Sequence, residues 1–398
     1  MKRKAARELA ATWARHTQEW RDPRQVGSQW REAAQVDPRL LACRVQGTWW
    51  QTLERLGVTL VVSREYEHLL MAFSAADRPR VSYHPLPHPS GLAVDPMGSL
   101  WVASTRNPNQ LFRFGPAQGL LSRSDMPVAS TATHPLLPLQ SWTFPGCLYL
   151  HDLAFVGPHL HGNAVGLNAV VRFDDGRFAP VWWPRSMDSK GAARFAANAL
   201  QLNSIAAGAT LASSYFSASV SRPQRFRPGQ LDFPVDGNGV IFSGKTRHPI
   251  CGGLTRPHSA RLIGRQLWVD NSGYGQVGVV EDGRFQEVLA LPGWTRGLSV
   301  VKDVAFVGIS RVLPRFRRYA PGLDARSSRC GIYAFRWKTG EVLGSVVFPA
   351  GNQIFGLEAL PAARTQGFAF TARPGEAMDA AQALYYAFDA PRRGRGHR

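Results

Sequence analysis

The chain has 398 residues, 44% of them hydrophobic, with 38 glycines and 28 prolines, which is enough apolar material for a large core and excludes a disordered chain. A balance of 47 Lys+Arg against 28 Asp+Glu gives a formal net charge of +19, which favours acidic ligands and partners. The four cysteines, Cys43, Cys147, Cys251 and Cys330, are far apart and include no CxxC pair; this argues against a zinc ribbon or a disulfide framework and for reduced thiols.

Residues 3–20 read as a helix with Leu9, Trp13 and Trp20 as its apolar positions, ending at Asp22-Pro23. Glu8, His16, Gln18 and Glu19 stand where a secretory signal needs an apolar stretch, and no run of 18 apolar residues occurs. The expectation is a cytoplasmic protein without a membrane span. The run Val58 to Ser63 and a second from Tyr66 to Phe73 read as a strand pair. They are expected to close a ring with C-terminal strands near Phe368-Ala369-Phe370 and Leu384 to Phe388, since closure removes exposed sheet edges.

Between these ends a short signature recurs six times, at Pro89 to Ala93, Leu150 to Ala154, Leu202 to Ala206, Pro257 to Arg261, Thr295 to Ser299 and Ile354 to Glu358. Counted through Ser90, His151, Asn203, His258, Arg296 and Phe355, the intervals are 61, 52, 55, 38 and 59 residues, each the size of a four-stranded propeller blade with loop insertions. Further strands follow each signature, such as Leu100 to Ser104, Ala169 to Phe173 and Val304 to Gly308, and turns such as Asp174-Asp175-Gly176 and Glu281-Asp282-Gly283 separate third strands from fourth. The reading is an all-β, six-bladed β-propeller over residues 46–390, with a helical extension over 1–45 and a basic tail over 391–398. Seven blades is the alternative, because the first interval and the 311–329 insertion have room for more strands.

The runs SREYEHLL, HPSGLAVDP, LWVASTRNPNQL, HDLAFVG, HGNAVGLN, DGNGVIFSG, PHSARL and DNSGYGQVG resemble a bacterial family of conserved hypothetical, propeller-like proteins, a domain of unknown function. The resemblance spans about residues 46–360 and implies the propeller fold without implying an activity.

In a propeller the loop entering the first strand and the loop joining the second and third strands open on one face. The six signature residues and Arg106, Asn163, Asp270, Asn271 and Arg311 are therefore expected around one central mouth. Arg296 calls for an anionic partner, with Arg106, Arg311, Asn163, Asn203, Asn271, Trp294 and Tyr274 as further substrate contacts. An internal pair of Arg296 with Asp152, Asp270 or Glu358 is the competing account. His151 and His258, with Asp152 and Glu358, are the candidate catalytic groups. His151, His258, His161, His88 and Asp270 are the candidate ligands for a transition metal, Zn, Mn or Fe, which suits a mixed imidazole and carboxylate set; each histidine fastening neighbouring loops is the alternative.

The basic groups at Lys2-Arg3-Lys4, Arg222/Arg225/Arg227, Arg311/Arg315/Arg317/Arg318 and Arg392-Arg393-Arg395 are scattered without a binding module, which disfavours nucleic acid as partner. Two readings of function result. One is an enzyme acting on a small or peptidic anionic substrate, metal-assisted or not. The other is a non-catalytic propeller that binds a peptide, a metabolite or an acidic protein partner.

Overall fold

The strand Val58–Arg64 shows why these runs are apolar without alternating. Val58, Leu60 and Val62 pack into one hydrophobic cluster, with Val304, Phe306 and Ile332, while Val61 packs into another, with Leu92, Leu100 and Val102. Successive side chains of a strand point to opposite faces, so a strand wedged between two neighbouring sheets is buried on both. Six such clusters are found, one at each junction between consecutive sheets.

The computed structural model describes residues 30–106, 109–117, 120–121, 133–146, 148–189, 192–193 and 197–372, with short pieces at 7–8, 10–11, 14, 384–385 and 388–389. The N-terminal helix positions Leu9, Trp13 and Trp20, and the basic tail, lie outside the described residues. Six antiparallel sheets form the blades of a propeller. Blade 1 runs Pro89–Val94, Leu100–Ser104, Gln110–Pro116, Leu136–Thr143; blade 2 runs Leu150–Val156, His159–Ala164, Ala169–Asp174, Arg177–Trp182. Blade 3 runs Leu202–Ala206, Tyr215–Ala218, Gly239–Ser243, Pro249–Leu254; blade 4 runs Pro257–Ile263, Gln266–Asn271, Gln276–Glu281, Arg284–Ala290. Blade 5 runs Trp294–Val301, Val304–Ser310, Gly331–Arg336, Val342–Val347, and carries Arg44–Gly47 as a fifth strand. The expected turns are present: Asp175 and Gly176, like Asp282 and Gly283, have positive φ, as a two-residue hairpin loop requires.

Blade 6 closes the ring. Its inner strand is Gly356–Pro361, paired with Val58–Arg64 and followed by Leu69–Ser74 and Arg80–Pro85. Closure therefore corrects the expectation of strands near 368–370 and 384–388: the closing partner is the sixth signature itself. Phe370–Thr371 adds only a short outer strand on Arg80–Pro85, and Phe388–Asp389 pairs with Leu120–Leu121 of another sheet.

The signature is a β-bulge. In each of blades 1 to 5 the ladder between first and second strands slips at the signature, between Pro89 and Leu92, Leu150 and Leu153, Leu202 and Ser204, His258 and Arg261, and Thr295 and Leu298. A bulge places an extra residue opposite one on the partner and redirects its side chain, which is how a strand otherwise packed against its neighbours turns a residue toward the central axis. Gly91 shows how tightly this is done. A Cβ there would lie 2.5 Å from the Asp152 backbone of blade 2. Gly91→Ala is expected to lower stability by about 1–3 kcal/mol, the usual cost of overpacking, and an unchanged melting temperature would show that blades 1 and 2 part freely.

Candidate functional site

At the signature face the propeller opens into a cavity of about 1240 Å3. Four of the six signature residues, His151, His258, Arg296 and Phe355, line it. The His151 and His258 rings stand 6.5 Å apart, Phe355 meets His151 edge-on at 5.4 Å, and the Arg296 guanidinium lies 3.3 Å from the Phe355 ring centroid. The other two fasten blades instead. Ser90 Oγ is 2.8 Å from the Leu150 carbonyl, and Asn203 Nδ2 donates to the Pro257 carbonyl at 2.9 Å.

A second tier stands two residues before each signature position: His88, Tyr149, Gln201, Arg256, Trp294 and Gln353. All but His88 line the cavity. His88, Tyr149, Gln201 and Arg256 have positive φ, a backbone that non-glycine residues rarely adopt and that clusters at functional sites. Tyr149, Gln201, Arg256 and Gln353 were not among the candidates read from the sequence, although the constant offset from the signature was visible there. Tyr66, Phe316 and Tyr319 add aromatic wall, Arg227 and Arg311 lie at the rim, and Ala10 and Ala14 of the N-terminal segment border the cavity.

The electrostatics of the cavity are one-sided. Arg296 and Arg256 are 8% and 9% exposed, and neither forms an ion pair among the described residues. Arg256 stacks over Tyr319 at 4.6 Å, and its Nε and Nη1 have no hydrogen-bond partner among the described residues. Burial lowers both, Arg296 to about 10, so each stays charged at neutral pH. Among the described residues two carboxylates line the cavity, the exposed Asp232, 3.9 Å from Arg318, and the buried Glu65. Burial works against its charge, yet Arg106, 3.0 Å away, and His88, at 2.9 Å, outweigh that and hold it at about 2. His151 meets two donors, Arg296 Nη2 at 3.3 Å from Nδ1 and Gln201 Nε2 at 3.5 Å from Nε2. A neutral imidazole accepts at one nitrogen only, so His151 can accept from just one of the two. Burial, then Arg296 and Arg256, depress both His151 and His258 far below the ordinary histidine value.

Several candidates lie elsewhere. His161 sits on the second strand of blade 2 with Nδ1 2.9 Å from the His159 carbonyl, and His88 is held by Glu65. The set His151, His258, His161, His88 and Asp270 is therefore not assembled, and the described residues hold no group of three or more His, Cys, Asp or Glu placed to share a metal. A metal would also face the Arg296 cation beside His151. Tyr274 turns outward and donates to the Asp236 carboxylate at 3.1 Å, and Asn271 accepts from Thr255 N at 2.7 Å and donates to Gln276. Neither lines the cavity that holds His258. Asn163 is fully buried outside the cavity lining.

Asp152 and Glu358 are not in the cavity lining either. Asp152 takes both guanidinium arms of Arg261, Nη1 at 2.7 Å and Nη2 at 3.1 Å, and also accepts from Ile205 N. Arg261 thus has the partner that Arg296 lacks. Asp270 is fully buried, and burial drives its carboxyl well above the usual range against the Ser259 hydroxyl, Arg261 and Arg296. Burial likewise raises Glu358 to about 7, against the pull of Arg261. Such a group binds its proton more tightly folded than unfolded, so its contribution is present at low pH and lost as pH rises through that value. Glu358→Gln is expected to flatten the fall in melting temperature between about pH 5 and pH 8; a variant with the parent's pH profile would show that Glu358 is ionised throughout.

These features define a six-bladed propeller whose mouth carries buried arginines without an ion pair among the described residues, set among aromatic rings and histidines. The chain matches the family model for DUF4915, a domain of unknown function, over residues 47–368 and belongs to that family. No curated protein matches it by sequence. Among solved structures, one from a nidogen/laminin complex superposes with a TM-score of 0.50 at 10% identity, covering 77% of this chain and 99% of that one. A virginiamycin B lyase from Staphylococcus aureus matches at TM-score 0.34 and 11% identity (73% and 76% covered), and apo AztD from Citrobacter koseri at 0.41 and 10% (76% and 98%). At these identities the likeness is one of fold. No helix among the described residues is long and apolar enough to cross a membrane.

Proposed function

We propose that the mouth of this propeller binds a small or peptidic organic anion, a carboxylate or phosphate, and that Arg296 and Arg256 are its anchors. The supporting observation is the pair of buried guanidinium groups without a carboxylate partner among the described residues. An unpaired buried charge is costly, and an incoming anion supplies both the missing charge and the missing acceptors. Tyr66, Tyr149, Trp294, Phe316, Tyr319 and Phe355 give the cavity apolar surface for the body of an organic anion. The cavity has room for a metabolite or a peptide end, so the reading serves an enzyme and equally a binding propeller. The free thiols of Cys43, Cys251 and Cys330 support a cytoplasmic setting.

A thermal-shift panel of carboxylates and phosphates, each beside its neutral amide or alcohol isostere, tests this. Anions are expected to stabilise the protein and the isosteres not to. Equal stabilisation by the neutral isosteres, or undiminished stabilisation in an Arg256→Ala/Arg296→Ala variant, would sink the proposal.

A further inference from the structure

The tautomer of His258 is decided by its surroundings. Its Nδ1 lies 2.7 Å from the Arg256 carbonyl, which only accepts, and 3.0 Å from Ser272 Oγ. Ser272 Oγ gives its own hydrogen to the Thr295 carbonyl at 2.7 Å, so it too receives from the ring. Nδ1 therefore carries the proton. Nε2 is left with its lone pair, makes no hydrogen bond among the described residues, and belongs to a ring that lines the cavity while only 2% exposed. The Trp294 ring, edge-on at 5.8 Å, packs against it.

We propose that Nε2 of His258 is the proton acceptor of this cavity, a base that an anionic ligand switches on as it binds. The proposal rests on the anion pocket described above. In the empty cavity the charged groups facing His258 are Arg256, whose own carbonyl holds the ring, and Arg296 from blade 5; His151 faces it from blade 2 and is itself neutral, with Glu65 acting on His151 from beyond. Asp270, opposite in the ladder, has its carboxyl pushed up by burial. An imidazolium there is repelled by two guanidinium ions, and the ring stays neutral. Burial is the larger cause and persists with ligand bound, but a carboxylate or phosphate seated on those guanidinium groups cancels the repulsion, so the ring becomes more basic when ligand is present. The ligand class is accordingly an organic anion that also carries an ionisable O–H or an activated C–H. In the step, that bond breaks and its proton goes to Nε2; the electron pair stays on the ligand's oxygen or carbon, where Arg296 balances the charge, and the imidazolium later returns the proton. No oxidant or reductant is required.

Long-range proton–nitrogen NMR of the full chain, labelled with nitrogen-15 and with His258→Gln to assign the resonance, tests this with inorganic phosphate as the probe. The expected result is the Nδ1–H form of His258 and a titration midpoint that rises by about one pH unit or more at saturating phosphate. Arg256→Gln is expected to raise the phosphate-free midpoint and shrink the phosphate-induced rise. An Nε2–H form, or bound phosphate with an unmoved midpoint, overturns the switched base and leaves the anion pocket standing. Absence of phosphate binding overturns both.

Discussion

Arg296→Ala is expected to weaken binding of an anionic ligand by about 2 kcal/mol or more, roughly thirtyfold, without loss of the fold. The side chain is buried against Phe355, and the hydrogen bond it shows goes to His151, so no carboxylate is stranded by its removal. Thermal stability of the empty protein should hold or rise, because an uncompensated buried charge is taken away. Arg296→Lys should restore only part of the affinity, since an ammonium reproduces neither the planar two-armed contact nor the stacking on the ring. Affinity and melting temperature measured on the same variants decide the matter. A variant that melts much earlier while binding its ligand normally would make Arg296 a structural strut and leave Arg256 as the sole anchor to test.

The largest loss of stability is expected one layer deeper, at Asp152. This carboxylate in blade 2 receives Ile205 N from blade 3 at 2.9 Å and both arms of Arg261 from blade 4, and so ties three consecutive blades at the channel. Asp152→Ala strands the Arg261 cation and an amide at once and is expected to cost about 3–5 kcal/mol in chemical denaturation. Asp152→Asn keeps an acceptor for Ile205 and should cost less. In Asp152→Ala/Arg261→Met the stranded charge is gone, and part of the loss should return. A single variant within about 1 kcal/mol of the parent would mean that the pair offsets only its own desolvation.

Arg261 and Arg296 show how much of the site was readable beforehand. Both lie within a signature, and only Arg296 was expected at the mouth. Which one meets a carboxylate depends on a blade-to-blade distance that spacing does not encode. The candidates His161 and Tyr274 failed for a related reason. Neither is on a bulged first strand: His161 is on the second strand of blade 2, where its ring meets the His159 carbonyl, and Tyr274 is in the turn after the second strand of blade 4, where it meets Asp236. Arg256 and Tyr149 were not among the candidates, although they stand at a fixed offset from His258 and His151, a regularity present in the sequence.

What the amino-acid order determines by itself is local. Apolar runs of strand length, Asp-Gly turns with positive φ, and a signature recurring at blade-sized intervals define antiparallel sheets whose partners are neighbours in the chain, and hairpin pairing needs little else. From that repetition the propeller and the face bearing the mouth can be read, while six blades rather than seven was decided by the sheets themselves. The tertiary structure alone decided the closing partner, because Gly356–Pro361 meets Val58–Arg64 across nearly the whole chain and no local pattern records so distant a pairing. It also decided the chemistry of the mouth. Whether a buried arginine is paired or free, and which nitrogen of His258 is left bare, depends on atoms a few ångströms away in other blades, where dielectric and hydrogen-bond partners are set by packing.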